Sequence, residues 1–414
     1  MPFLTFLRAN ARWLLAGMLL SFLSSFGQTF FISIFAGEIR DTFGLSHGEW
    51  GAIYTFGTGA SAVAMVFAGG LTDRFRVRGI GVVVLAGLAM ACVAMALNPV
   101  AVLLPVVIFA LRFFGQGMAS HISLVAMARW FVATRGRAMA IATFGFSLGE
   151  ACLPLGFAAL KRLVDWHVLW LVAAAIALLA IPILLMLLTQ ERTPQAAAEE
   201  NSVPGMDGRH WTRAEAIRQP VFLATIPALL AFPALGTAFW FHQVHFAAVK
   251  GWDHLALVAV FPLGTAMFMA STALFGWAID RFGSARLMPI YLIPLVAGFT
   301  VLSFAPSVPY AGLGVVLMGL AGGGQATLPS SSWAEFFGTR HLGSIKASVA
   351  AILVLGSALG PGVSGWLIDR GIAMPTQLLG YAAIVAAASL TLVLPVARAR
   401  ARLPHPAKID VERA

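Results

Sequence analysis

Arg112 and Glu150 each fall in the middle of an apolar run long enough to cross a membrane. An ionised side chain at the bilayer centre costs roughly 2.5–3.5 kcal/mol on insertion scales, so it needs a partner or a wet cavity. Arg112 brings a fixed positive charge suited to a carboxylate. Glu150 brings a group that can take up and release a proton. At ~1.5 Å rise per residue both lie near half depth. They can pair directly, meet through substrate or water, or simply tie two helices together. Gln116, Ser120 and Ser123 follow Arg112 at four-, eight- and eleven-residue spacing, which predicts one shared helix face. Gly115 and Gly117 let a neighbouring helix or substrate come close.

A second group is His242, Gln243 and His245, in the outer third of a later run. A histidine binds and releases protons near neutral pH, so His242 and His245 are proton-coupling candidates. Hydrogen bonding at the membrane interface is the equal alternative. Two histidines without a third ligand predict no metal site, and no cofactor motif is present. Gln28, Thr29 and Gln325 fall near half depth and are candidate cavity residues with Arg112, Gln116 and His242. His121 lies opposite Arg112 on a helical wheel, a packing position. Glu335, near the end of its run, reads as a gate or loop residue. Phe26, Phe30, Phe31, Phe113, Phe114, Phe146, Trp240 and Phe241 line these runs, and sequence does not select which of them face a cavity.

The elements that position these residues are membrane helices. Hydrophobic residues make up 59% of the 414-residue chain and charged ones 11%, against about 25% in soluble domains. Runs of roughly 20 apolar residues centre on 13–37, 49–70, 79–97, 100–127, 138–160 and 168–189. A second set covers 220–248, 255–278, 287–305, 309–332, 343–367 and 376–397. The run from Trp13 is too long for a signal peptide and is expected to be a retained span. With the N-terminus inside, 21 of the 27 Lys and Arg residues fall in inside segments, five in outside segments, and Arg112 in the membrane. That asymmetry predicts cytoplasmic termini. It also explains the net charge of +10 without nucleic acid. Cys92 and Cys152 lie inside apolar runs and give no disulfide framework.

A shift of 207 residues superposes the two sets without a gap. It carries Gly57-Thr58 onto Gly264-Thr265, Gly69 onto Gly276, and Asp73-Arg74-Phe75 onto Asp280-Arg281-Phe282. It also carries Gly115 and Gly117 onto Gly322 and Gly324, Gly149 onto Gly356, and Pro154 onto Pro361. The reading is an all-α membrane protein of twelve helices in two parallel six-helix bundles, residues 1–190 and 220–414, joined by a cytoplasmic linker over 191–219. The second bundle ends in a short basic tail.

The chain resembles the major facilitator superfamily over nearly its whole length. Its marker is the loop after the second span, where Gly69, Asp73, Arg74 and Arg78 fit and Arg76 replaces a usual Gly. The second copy fits with Gly276, Asp280, Arg281, Gly283 and Arg286. The resemblance implies a cytoplasmic latch across the halves, Asp73 meeting the start of helix eleven and Asp280 the start of helix five. An acidic group is favoured at such a helix start. Arg112-Phe-Phe-Gly-Gln-Gly looks like the family's fourth-helix motif with one residue inserted. Phe241-His242 and the stretch Gly338–Lys346 also look like bacterial monocarboxylate and oxalate–formate carriers.

The expected function is secondary transport of a small organic anion such as a monocarboxylate. Alternating access, coupled to protons or run as exchange, is the expected mechanism. A proton-driven drug or metabolite efflux antiporter is the alternative, and a non-transporting membrane sensor the lesser one. Paired carboxylates, a nucleophile elbow and a metal motif are all missing, so an enzyme is not expected. The expected setting is a bacterial inner membrane, as a monomer among lipids, with solute and protons as partners.

Overall fold

The computed structural model describes residues 3–131, 134–190 and 204–403. It is helical throughout, and no strand occurs among the described residues. Twelve helices carry the argument: α1 (Phe3–Leu23), α2 (His47–Ala68), α3 (Val77–Ala96), α4 (Ala101–Trp130), α5 (Arg135–Leu160) and α6 (Trp166–Leu187), then α7 (Pro220–Phe241), α8 (Phe261–Phe282), α9 (Ile293–Phe304), α10 (Val308–Phe337), α11 (Leu342–Asp369) and α12 (Met374–Ala401). Ten helices are long and apolar enough to cross a membrane, and α1 with its bent continuation makes eleven. Large apolar side chains such as Val66, Phe67, Leu179 and Leu390 are exposed on the outside, as expected where lipid is the solvent.

Two predicted spans differ in detail. The run over 287–305 is split. A short helix Ser284–Leu287 and turns precede α9, whose 12 residues begin beside Pro294. Pro289 and Pro294 lack the N–H that would continue the helical ladder. The first span is broken as well. After α1 come a 3-10 turn at Ser24–Gly27, an extended Gln28 (φ −87°, ψ 154°) and a short helix Thr29–Ile32, with a bend of 47°. The linker is described from residue 204. It holds a short helix Arg213–Ala216 closed by a Thr212/Glu215 capping box, and residues 191–203 and 404–414 lie outside the description.

Within the first half α1 packs on α5 and α3 on α6. In the second, α8 packs on α10, and α9 on α10 and α12. The halves meet along two seams, α2 with α11 and α5 with α8. One end of the bundle is shut. Ser46 Oγ and the backbone N–H groups of His47 and Gly48 donate to the Asp369 carboxylate at 2.7–3.0 Å. Nearby, Gln243 Nε2 donates to Ser33 Oγ at 2.7 Å. The opposite end is loose. No residue of 62–68 in α2 or of 272–282 in α8 is buried, although both helices are well covered at their starts.

Candidate functional site

Breaking a helix inside a membrane frees backbone groups that must find partners. Arg112 meets that need at the break after α1. Its Nη1 donates to Gly27 O at 3.1 Å and to Thr29 Oγ1 at 3.4 Å. The guanidinium stands 5.4 Å from the Tyr54 ring, and the Tyr54 hydroxyl shares a 2.5 Å hydrogen bond with Thr29. Arg112 is 1% exposed, and its Nε has no hydrogen-bond partner. The approach is set by two glycines. A Cβ on Gly27 would lie 2.1 Å from Leu111 O, and one on Gly115 would lie 2.6 Å from Gly27 Cα.

Arg112 also opens a π-helical stretch, Arg112–Ala119, within α4. Wider turns carry Gln116, Ser120 and Ser123 off the single face that α-helical spacing predicts. Gln116 is half-buried beside Gly27. Ser123 is turned to α1, accepting from Ser21 Oγ at 2.8 Å and donating to Gly17 O at 2.7 Å.

Glu150 is elsewhere, and no ion pair joins it to Arg112. Its Oε2 accepts from Thr265 Oγ1 at 3.1 Å, across the α5–α8 seam. Both residues line a cavity of ≈ 180 Å³ between the halves. Phe30, Phe146, Phe232, Trp240, Phe261 and Phe268 form most of its wall, and Thr237 adds a hydroxyl. Gly264, Gly319 and Gly322 leave its α8–α10 side without bulk. Of the sequence candidates, Glu150 alone lines this cavity. From the aromatic list it takes Phe30, Phe146 and Trp240, whereas Phe26 and Phe31 pack on Phe157 inside the first half.

The remaining candidates are dispersed. Gln28 is 9% exposed at the break. Gln325 Oε1 accepts from Tyr291 at 2.9 Å, which holds it against the segment before α9. His242 and His245 lie at the shut end, with His242 Nε2 3.0 Å from Pro361 O. In the loop after α2, His121 Nε2 is 3.2 Å from Gly69 O, Arg78 is exposed, and the side chains of Asp73 and Arg74 lie outside the description. In the second copy Gly276 has open space around it, and Asp280, Arg281 and Arg286 are exposed. Among the described residues Asp280 makes no ion pair. Sequence reasoning missed Thr265, Tyr54, His47 and Asp369. The 207-residue shift relates Ser46 to Asp253 and Arg162 to Asp369, and the shut end is clasped by these residues in exchanged pairs, Ser46 with Asp369 and Arg162 with Asp253.

Residues 17–277 match the Major Facilitator Superfamily. The chain belongs to that superfamily. It is a multi-pass membrane transporter and not an enzyme. A protein described as an uncharacterized 38 kDa protein in the 23S RNA operon of Thermoproteus tenax is 24% identical over 331 residues, 80% of this chain and 81% of that one. A multidrug resistance protein B homolog of Mycobacterium tuberculosis is 32% identical over 117 residues, 27% of this chain and 22% of that protein. This chain therefore spans about a fifth of that relative. Among solved structures, a bacterial homolog of the human lysosomal transporter Spinster, inward-facing and unoccupied, superposes with a TM-score of 0.71 at 16% identity, covering 96% of this chain and 99% of that one. The nucleoside transporter NupG gives 0.69 at 15% identity over 92% and 98%. Both share the superfamily's fold with this chain.

Proposed function

We propose that this superfamily member carries a largely apolar, aromatic-compatible solute with a positive charge or a strong hydrogen-bond donor, and exchanges it against a proton on Glu150. The observation that carries this reading is the placement of Glu150 in a cavity walled by six aromatic rings between the halves. Ring faces attract cations, and one carboxylate among apolar walls fixes orientation. A single acidic group that binds either solute or proton makes the two compete, which is the basis of exchange. The reading is the efflux-type alternative, and the short likeness to a multidrug resistance homolog agrees with it.

The small organic anion is the second reading. It is favoured by the unpartnered Nε of Arg112, a donor that a carboxylate could accept from. It is disfavoured because the other end of the guanidinium holds the α1 break.

Transport proceeds by alternating access between two units, residues 1–190 and 220–414, linked by 191–219. The loose end, with the loops after α2 and α8, faces the cytoplasm in a bacterial inner membrane. Asp73 and Asp280, with Gly69, Arg74, Arg78, Gly276, Arg281 and Arg286, latch that end when it closes. A solute shifts the balance only by binding the two states differently. The test is transport in proteoliposomes with an imposed pH gradient, comparing aromatic amines with monocarboxylates. Amine movement driven by the gradient and lost in Glu150→Gln is expected. Monocarboxylate movement that survives Glu150→Gln and is lost in Arg112→Lys would replace this reading with the second.

A further inference from the structure

The shut end carries titratable rings that the cavity does not use. His47 begins α2, and His242 and His245 follow α7. The His47 ring centroid lies 4.6 Å from that of His245 and 5.9 Å from that of His242, so imidazoles from the two halves meet across the seam. His242 is 3% exposed and its Nε2 faces Pro361 O. A carbonyl only accepts, so that nitrogen carries the hydrogen. His245 Nε2 is buried without a hydrogen-bond partner. Among the described residues no such cluster has the geometry to hold a metal ion.

The charges around the rings are few. Arg40 acts on all three histidines, with Asp41 beside it on the helix Ala36–Phe43. At the end of α11, Asp369 acts on Arg40 and His47, but it already accepts from Ser46 and two backbone N–H groups. Glu49 of α2 is held in the Ser46 capping box. A proton on any ring therefore adds a second positive charge beside Arg40, whose counter-charges are its helix neighbour Asp41 and the already engaged Asp369. His47 is also at the start of α2, where the helix dipole opposes positive charge.

We propose that His47, His242 and His245 form a proton-operated catch on the shut end: protonation from the compartment facing it drives the halves apart there. Separated rings gain water and lose one another's repulsion, so protons bind the opened state more tightly and shift the population towards it. His47 and His245 are half-buried, which gives protons access without prior opening. The catch rests on the alternating-access part of the proposed function and not on the identity of the solute.

The test is pulsed electron paramagnetic resonance on the whole chain in lipid nanodiscs. Nitroxides are attached at Thr42→Cys and Ile372→Cys, exposed positions on opposite sides of the seam. Cys152 is replaced by Ser, and Cys92, buried at 0% exposure, stays unlabelled. Lowering the pH from about 8 to about 5.5 spans histidine titration and is expected to enlarge a longer-distance population severalfold. The double variant His47→Gln/His245→Gln should lose most of that response, while His121→Gln, at the other end, should keep it. Distances that ignore pH, or an undiminished response in the double variant, overturn the catch. If the double variant fails to fold, His245→Gln alone decides, since its Nε2 gives up no hydrogen bond: an undiminished response overturns the proposal and a reduced one supports it. Pulsed distances without pH response, in protein that still transports, reject the catch and leave the carrier reading intact. Lost transport with an intact pH response does the reverse.

Discussion

The two seams between the halves occupy equivalent places in the duplication, yet they are packed differently. In the α2–α11 seam a Cβ on Gly51 would lie 2.6 Å from Pro361 O, and Thr55 donates to Ala358 O at 2.7 Å. That seam is backbone against backbone. In the α5–α8 seam the contact is side chain to side chain, Thr265 to Glu150, with a cavity beside it. The equivalents of that pair, Thr58 and Ser357, do not meet: Ser357 bonds Val354 O in its own helix, and Thr58 Oγ1 has no partner. One seam is closely packed like a bearing, and the other carries a cavity. The same divergence appears at Arg112, whose equivalent Gly319 lets α10 close on α8, a Cβ there lying 2.2 Å from Gly264 O. Filled space in the first half corresponds to helix contact in the second.

The sharpest way to break this comparison is to remove the one carboxylate that distinguishes the seams. Glu150→Gln keeps the shape and a hydrogen bond to Thr265 while abolishing proton exchange. Proton-driven transport is expected to fall by at least about tenfold, equivalent to 1.4 kcal/mol or more, with thermal unfolding in detergent little changed. If transport were unaffected, the α5–α8 seam would be as purely structural as its counterpart.

The bearing can be tested by overfilling it. Gly51→Leu places a side chain where Pro361 O already sits at contact. Overpacking costs about 1–3 kcal/mol, and separating the seam relieves it. The melting temperature should drop, and label distances across α2 and α11 should lengthen at the shut end. The corresponding change in the short helix His254–Val258 before α8, Val258→Leu, is a milder one at a position that already carries a side chain. A Gly51→Leu protein with unaltered distances and stability would show that the seam is not held by close backbone approach.

Most of the fold is legible in the sequence because membrane helices announce themselves by length and apolarity, and the duplication repeats them at one offset. The break after α1 is not, since Ser24–Gln28 contains no proline and looks like a weakly polar stretch of helix. Arg112 was legible as a buried cation, but its partner was not. A guanidinium near half depth is equally suited to a carboxylate and to the carbonyls of a broken helix, and only Gly27 against Gly115 decides between them. Glu150 shows the opposite case: the residue stood out, and its partner Thr265 did not, because one hydroxyl among apolar residues carries no distinctive signal. The catch was half visible. His242 and His245 share a segment, whereas His47 lies about 200 residues away and is brought to them by tertiary packing alone.

Arg112→Lys and Arg112→Ala sharpen the contrast with Gly319. Lysine keeps the charge, but its ammonium ends one bond short of the Nη1 that donates to both Gly27 O and Thr29 Oγ1. Leaving a buried acceptor unpaired costs about 1–3 kcal/mol. Both variants should lower the melting temperature, and both should raise hydrogen exchange around residues 24–29. If lysine restored full stability, charge alone would account for Arg112 and the helix break would not depend on it.

The smallest effect is expected at the clasps, where the duplication has exchanged partners. Asp369 at the end of α11 receives donors from the start of α2, and at the equivalent place Asp253 pairs with Arg162. Partial burial pushes the Asp253 carboxyl up, but the Arg162 guanidinium and the backbone N–H of Ala256 outweigh it and hold the group below its usual value. A depressed carboxylate contributes stability that is present above its unfolded value, near 3.9, and is lost as pH falls through the lower folded value. The pair is about half exposed, so it is worth at most about 1 kcal/mol and weakens with salt. Below about pH 4 the α5–α8 clasp should therefore loosen slightly, seen as faster amide exchange at Ala256, which donates to Asp253 at 3.1 Å. Asp253→Asn should show that faster exchange at neutral pH and no further acid response from this site. An unchanged rate in Asp253→Asn would mean that the α5–α8 seam is closed at this end by packing and not by the Asp253–Arg162 pair.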